Sequence, residues 1–185
     1  MNQSYPVRSL FSSLLVEAAK PVRRRIFISY HHKHDQAYYD TFSTTLHDQM
    51  DLVFDNSLDR QIDSENHEYV IQRIRDSFIN NTSCTVVLCG PETQQRKYVD
   101  WEIKATLDKQ HGLIGICLPT ALRNMQNQTI VPVRLASNYH SGYAVWKTWA
   151  ELVANPRAMT SWIEEAVARD KAKIVNPWEI KSQNG

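Results

Sequence analysis

The chain has 185 residues, 42 % of them apolar, and a formal net charge of +1. That length supports one domain with a packed core rather than two comfortable ones. The near balance of acids and bases excludes a molecule whose overall field gathers nucleic acid or anionic lipid.

Residues 8–20 read as an amphipathic helix: Leu10, Leu14 and Ala18 form a stripe, Phe11 and Leu15 lie beside it, and Pro21 ends it. Basic Arg23-Arg24-Arg25 follows the apolar part, and Glu17 interrupts it, which is not the order of a signal peptide. Arg25 to Tyr30 then reads as a buried strand, with polar His31-His32-Lys33-His34 at its end. Asp35 is expected to cap a helix carrying Tyr39, Phe42, Leu46 and Met50 inward. Leu52 to Asp55 is expected as a short second strand, followed by a glycine-free polar loop from Asn56 to Ser64 and a helix over 65–79.

Cys84 to Cys89 is the clearest strand, apolar or β-branched throughout, as expected for a strand covered on both faces. A helix over about 96–111 follows, with Val99, Ile103 and Leu107 inward and Gly112 at its end. Leu113 to Leu118 reads as a fourth strand, and Ile130 to Val133 as an edge strand, because Pro132 cannot donate to a ladder. A helix from Tyr143 to Ala154 is expected next, then one opened by a capping box at Ser161 and Glu164 and running to about 171.

Strand then helix, repeated, gives an α/β fold with a parallel sheet, right-handed crossovers and helices on both faces. Ligands in such sheets bind outside the carboxyl ends of the strands. The places that satisfy this are Ser29 to His34, Asp55 to Ser64, Gly90 to Tyr98, and the chain from Pro119 onward.

No apolar run reaches the roughly 20 residues that span a bilayer. The cysteines, Cys84, Cys89 and Cys117, are odd in number and sit in strand-like runs. They read as buried reduced thiols, which suits a reducing compartment. Phosphate-cradling G-x-G-x-x-G and G-x-x-x-x-G-K-[ST] loops are absent, as is the G-x-S-x-G elbow. The His31 to His34 cluster is a metal candidate, but no carboxylate or cysteine motif at ligand spacing completes it, so no metal is expected. Trp146, Trp149, Trp162 and Trp178 read as core aromatics rather than as a stacking platform for bases. Glu102 lies early in the helix after the third strand, behind Trp101 and one turn beyond Tyr98. Position alone leaves two readings open: a half-covered carboxylate facing a bound cation, or an ordinary helix glutamate paired with Lys104 or Arg96.

Arg25-Ile26-Phe27-Ile28-Ser29-Tyr30-His31 resembles the first strand of TIR domains, and Tyr98-Val99-Asp100-Trp101-Glu102-Ile103 resembles their catalytic-glutamate segment. Asn81 to Leu88 is similar to the third strand of one subgroup, the TIR-like proteins of the bacterial Thoeris antiphage system. The likeness covers roughly residues 24–118. Two features depart from ordinary TIR domains and match this subgroup: Tyr98 and Val99 stand where Trp and Cys are usual, and the loop after Asp55 lacks its glycine.

The resemblance implies a flavodoxin-like three-layer fold with about five parallel strands. It divides the chain into an N-terminal helical extension (1–22), a TIR-like domain (23–175, with its core at 24–118) and a tail (176–185). It also implies cleavage of NAD as a substrate, with no cofactor, release of nicotinamide, and formation of a cyclic ADP-ribose isomer. That isomer would activate a separate effector protein after phage infection, a phage component being the trigger. Glu102 would be catalytic, and Phe27, Ser29, Tyr30, His31, Asp55, Tyr98 and Trp101 would bind substrate. The resemblance also allows a homo-oligomer, and the reduced thiols suit a cytoplasmic location. A non-catalytic TIR-like interaction module is the alternative, and a nucleoside-processing enzyme similar to deoxyribosyltransferases a third reading.

Overall fold

The structure is a computed structural model that describes residues 23–53 and 67–185. The expected helix over 8–20, Asp55 and the loop from Asn56 to Ser64 lie outside the described residues.

Five strands form one sheet: β1 Arg25–Ser29, β2 Asp51–Val53, β3 Cys84–Cys89, β4 Gly112–Cys117 and β5 Val145–Thr148. Every pairing is parallel, and the order is β2-β1-β3-β4-β5. The flavodoxin-like α/β expectation holds. The helices are α1 His32–Leu46, α2 His67–Ile74, α3 Lys97–Asp108, α4 Val133–His140, α5 Trp149–Ala154 and α6 Ala158–Ala168.

Side chains alternate across the strands, so each strand feeds two cores. On one face Ile26, Ile28, Cys84, Val86, Leu88, Ile114 and Ile116 pack on Phe42 and Leu46 of α1 and on Met159, Ile163 and Ala166 of α6. On the other, Phe27 packs on Ile71 and Ile74 of α2 and on Trp101 of α3. Val87, Cys89 and Leu113 continue that face against Ile103 of α3 and Leu135 of α4. Cys84 and Cys89 therefore point to opposite layers, and all three cysteines are free and buried.

Several expected elements are corrected. Ile130 to Val133 is not a strand: Pro132 is the N-cap of α4, its carbonyl accepting from the Ala136 N–H at 3.0 Å. Only Val131 of the run's aliphatic residues packs against the core, Val133 being 50 % exposed. The edge strand is instead β5, within the expected Tyr143 to Ala154 helix. Trp146 and Trp149 mimic a helical interval, but Trp146 belongs to β5, where its ring covers the bare Cα of Gly115 across the register.

The capping box is at Thr148 and Glu151, which open α5: Glu151 N–H donates to Thr148 Oγ1 at 3.2 Å, and Thr148 N–H to Glu151 Oε2 at 2.7 Å. Ser161 sits inside α6 and donates to the Ala158 carbonyl at 2.7 Å. The helix before β4 ends at Asp108, and the chain turns at Gln110, in the left-handed region at φ 57°, so Gly112 is free to begin the strand. Helix α2 runs on into one π-helical turn, Arg75–Ile79, closed by the Asn80 N–H on the Arg75 carbonyl at 2.8 Å.

Residues 176–185 fold back along α3. The indole N–H of Trp101 donates to the Lys181 carbonyl at 2.8 Å, and the Lys97 N–H donates to Asn184 Oδ1 at 2.9 Å. Arg134 of α4, fully buried, clamps this arrangement: its Nε and one terminal NH2 donate to the Asp100 carboxylate at 3.0 and 3.2 Å. The same NH2 also donates to the Trp178 and Glu179 carbonyls at 3.1 and 3.2 Å.

Candidate active site

The chain leaves β1 toward β2 on one side and later returns through β3 on the other, so the strand order reverses between β1 and β3. A crevice forms where two adjacent crossovers diverge, which makes the carboxyl ends of these two strands the default ligand site.

Ser29 is the last residue of β1, 1 % exposed, and its hydroxyl has no hydrogen-bond partner among the described residues. An unsatisfied buried hydroxyl costs about 1–3 kcal/mol, so such a group at a strand end is a candidate ligand contact. Ser29 pairs in register with Val87 of β3, and Phe27 with Thr85.

Thr85 Oγ1 meets Thr106 Oγ1 of α3 at 2.6 Å, and the Thr106 hydroxyl is also 2.8 Å from the Glu102 carbonyl. Glu102 is one helical turn, about 5.4 Å, nearer the start of α3. That rise corresponds to between one and two strand residues, which sets Glu102 about level with Val87 and hence with Ser29. Glu102 is 6 % exposed, on the α3 side of the sheet, the side that Phe27 and Ser29 also face.

The other expected contacts divide between the two layers. Trp101 is 1 % exposed and shares its cluster with Phe27, which is fully buried. Tyr98 meets Trp101 edge-on at 5.1 Å between centroids, with Lys97 Nζ 5.2 and 5.3 Å from the two ring centroids. Tyr30 lies in the opposite layer, stacked on Tyr39 at 4.5 Å, its hydroxyl donating to Gln36 at 3.0 Å. The structure therefore brings Phe27, Ser29, Tyr98, Trp101 and Glu102 to one side of the sheet and leaves Tyr30 on the other. Asp55 lies outside the described residues.

The polar run after β1 is not a loop. His31 is the N-cap of α1, and His32 to His34 form its first turn. Asp35 is not the cap: it lies inside that turn, fully buried, with its N–H on the His31 carbonyl at 2.9 Å. Thr93, in the short 3-10 turn after β3, lies with its hydroxyl 3.4 Å from Asp35 Oδ2 and 2.8 Å from the Gly90 N–H, which donates to it. A Cβ on Gly90 would lie 2.0 Å from Asp35 Oδ1, so only glycine lets the β3 exit approach this carboxyl. Burial raises the Asp35 carboxyl above its ordinary range, against the hydrogen bonds from Thr93 and His31 and the nearby His34.

A second link joins the same two segments: His34 Nε2 is 3.2 Å from Glu92 Oε1, while the other Glu92 oxygen pairs with Arg96. Sequence reading missed Asp35 as a buried acid, and missed Glu92 and Thr93 altogether. Only the adjacency of β1 and β3 brings them to the histidines.

Burial pushes the Cys84 and Cys89 thiols up, away from the thiolate form that attacks electrophiles. Nucleophilic cysteine chemistry is thus disfavoured at these two positions. A cavity of about 410 Å³ between Trp146, Tyr139 and Thr129 lies along β5 and α4 and contains none of the residues above.

A search of curated proteins finds the Bacillus cereus (strain MSX-D12) protein named "Putative cyclic ADP-D-ribose synthase ThsB1", 30 % identical over 98 residues. The match covers 50 % of this chain and 50 % of that protein, so the chain spans about half the length of its curated relative. The family described as "Thoeris protein ThsB, TIR-like domain" matches residues 27–123, just over half of the chain, a span that begins within β1 and holds all of β3, α3 and β4. On that match the chain belongs to the ThsB TIR-like domain family.

Proposed function

We propose that the protein cleaves NAD, releases nicotinamide and closes the remaining ADP-ribose into a cyclic isomer that activates a separate effector in antiphage defence. The observation that carries this reading is the buried Glu102, about level with the unsatisfied Ser29 hydroxyl on the side of the sheet bounded by the β1–β3 crevice. The name of the Bacillus cereus relative supports the same chemistry.

The bond to be broken joins a ribose carbon to a pyridinium nitrogen. Its electron pair returns to the ring, so nicotinamide leaves neutral and no general acid is required. One carboxylate then suffices, unlike the pair that ordinary glycosidases use. Glu102 would bind the nicotinamide-ribose hydroxyls and stabilise the positive charge that develops on that ribose. The Ser29 hydroxyl would bind ribose or phosphate, as would His31 at the head of α1. Closing the site against water would let a hydroxyl of the same nucleotide attack, losing its proton as the ring forms. Phe27, Tyr98 and Trp101, which share one apolar cluster, would wall the site beside Glu102.

The test is incubation with NAD, alone and in lysate of phage-infected cells, with products resolved by mass spectrometry and Glu102→Gln alongside. A cyclic ADP-ribose product from the wild type alone is the expected result. Undiminished product from a folded Glu102→Gln variant would refute the role of this carboxylate. Intact NAD throughout, with folding and infection confirmed, would favour a non-catalytic interaction module.

A further inference from the structure

The histidines that close β1 lack a third ligand in the sequence, but the fold supplies one. His31 and His34 stand one turn apart at the head of α1, ring centroids 5.0 Å apart. Glu92 reaches them from the exit of β3. One ligand atom from each of the three lies within 4.8 Å of the other two.

Tetrahedral zinc with nitrogen and oxygen ligands at about 2.0–2.1 Å holds its donors about 3.3 Å apart. His34 Nε2 and Glu92 Oε1 already stand 3.2 Å apart. Drawing in the remaining donor takes a shift of roughly 1.5 Å at most, within side-chain rotation at a rim position. Glu92 is already oriented for ligation, since Arg96 occupies its second oxygen and leaves Oε1 turned to His34. Metal-binding carboxylates are ordinarily oriented by such an outer partner. His31 is 9 % exposed, and the His34 and Glu92 side chains 36 % each, so the group opens to solvent on one side. Two imidazoles and one carboxylate suit zinc among the divalent ions, since magnesium and calcium prefer all-oxygen sites.

We propose that His31, His34 and Glu92 form a binding site for a divalent transition-metal cation, zinc by preference, with its fourth position open to water or ligand. The ion would tie the first turn of α1 to the β3 exit, on the rim of the β1–β3 crevice. The site rests on side-chain geometry alone, and with the ion bound His31 would be its ligand, leaving Ser29 as the ribose or phosphate contact.

The test uses the full chain, untagged and stripped of metal. Zinc uptake is followed by titration calorimetry, and Co2+ uptake by its tetrahedral ligand-field absorption. Wild type should bind one zinc per chain and gain thermal stability with added zinc. Glu92→Gln and His34→Asn should each weaken binding by about tenfold or more and lose the thermal gain. His47→Asn, at the far end of α1 and exposed, should behave as wild type. Both ligand variants change part-exposed side chains, and circular dichroism confirms that they fold. Absence of saturable uptake in the wild type would overturn the site and leave His34–Glu92 as a plain surface ion pair. Uptake unchanged in both Glu92→Gln and His34→Asn would overturn it equally.

Discussion

Replacing Arg134 by Met tests whether the C-terminal residues hold the helix that carries Glu102. The guanidinium is fully buried and the Asp100 side chain is 4 % exposed. Removal leaves that carboxylate uncompensated and strips the donor from the Trp178 and Glu179 carbonyls. Breaking a buried ion pair from one side costs about 3–5 kcal/mol. For a chain of this length each kcal/mol shifts Tm by about 2–4 °C, so the expected fall is about 6–20 °C. Urea unfolding followed by circular dichroism measures the free energy directly. Asp100→Leu added to Arg134→Met should restore part of the loss, because a buried pair replaced by apolar groups is often neutral. Recovery stays partial, since the Lys181 N–H, 3.3 Å from Asp100 Oδ2, loses its acceptor. A loss below about 1 kcal/mol for Arg134→Met, or a double variant no more stable than the single, would refute the clamp.

Two further substitutions probe other parts of the fold. Gly115→Ala places a Cβ 2.6 Å from two Trp146 ring carbons and 3.0 Å from Leu135 Cδ2; overpacking of this kind costs about 1–3 kcal/mol, and an unchanged Tm would contradict the packing of β5 on β4. The His111 imidazole is held below its ordinary 6.5, first by burial and then by Lys109 and Lys171. The unfolded chain therefore takes up this proton first, so the contribution is present above about pH 6.5 and lost as pH falls through the lower folded value. His111→Gln should flatten the acid-side decline, compared by urea unfolding at about pH 7.5 and about pH 5; a slope equal to that of wild type would remove His111 as its source.

Sequence showed most of the sheet because its central strands carry their own signal. Cys84 to Cys89 is apolar on both faces, and only a strand between two helical layers needs that. The edge was harder to read. The four residues of β5 are too few to separate a period of 2 from one of 3.6, and three of them are only half covered. Pro132 lacks the N–H that a central ladder needs, and a helix start tolerates that lack as well as a sheet edge does.

The candidate site divides in the same way. The stripe of its own helix set Glu102 beside the sheet but left its role open, and only the resemblance of Tyr98 to Ile103 singled it out. Asp35 was misread because an acid after a strand fits a cap as well as a buried first turn. Glu92 gave no local sign: its relation to His34 exists only through the neighbouring of β1 and β3.

The return of the last residues along α3 orders events in time. Asp100 and Lys181 are 81 positions apart. A ribosome adding about 5–20 residues per second needs about 4–16 s to bridge that interval. During it, the Trp101 indole and the Asp100 carboxylate have been made but not the backbone groups that later bind them. The segment bearing Glu102 is thus finished only once Lys181 and its neighbours have been made. A polypeptide halted before Lys181 would carry every residue of the family-matched span and still lack the closure of its central helix.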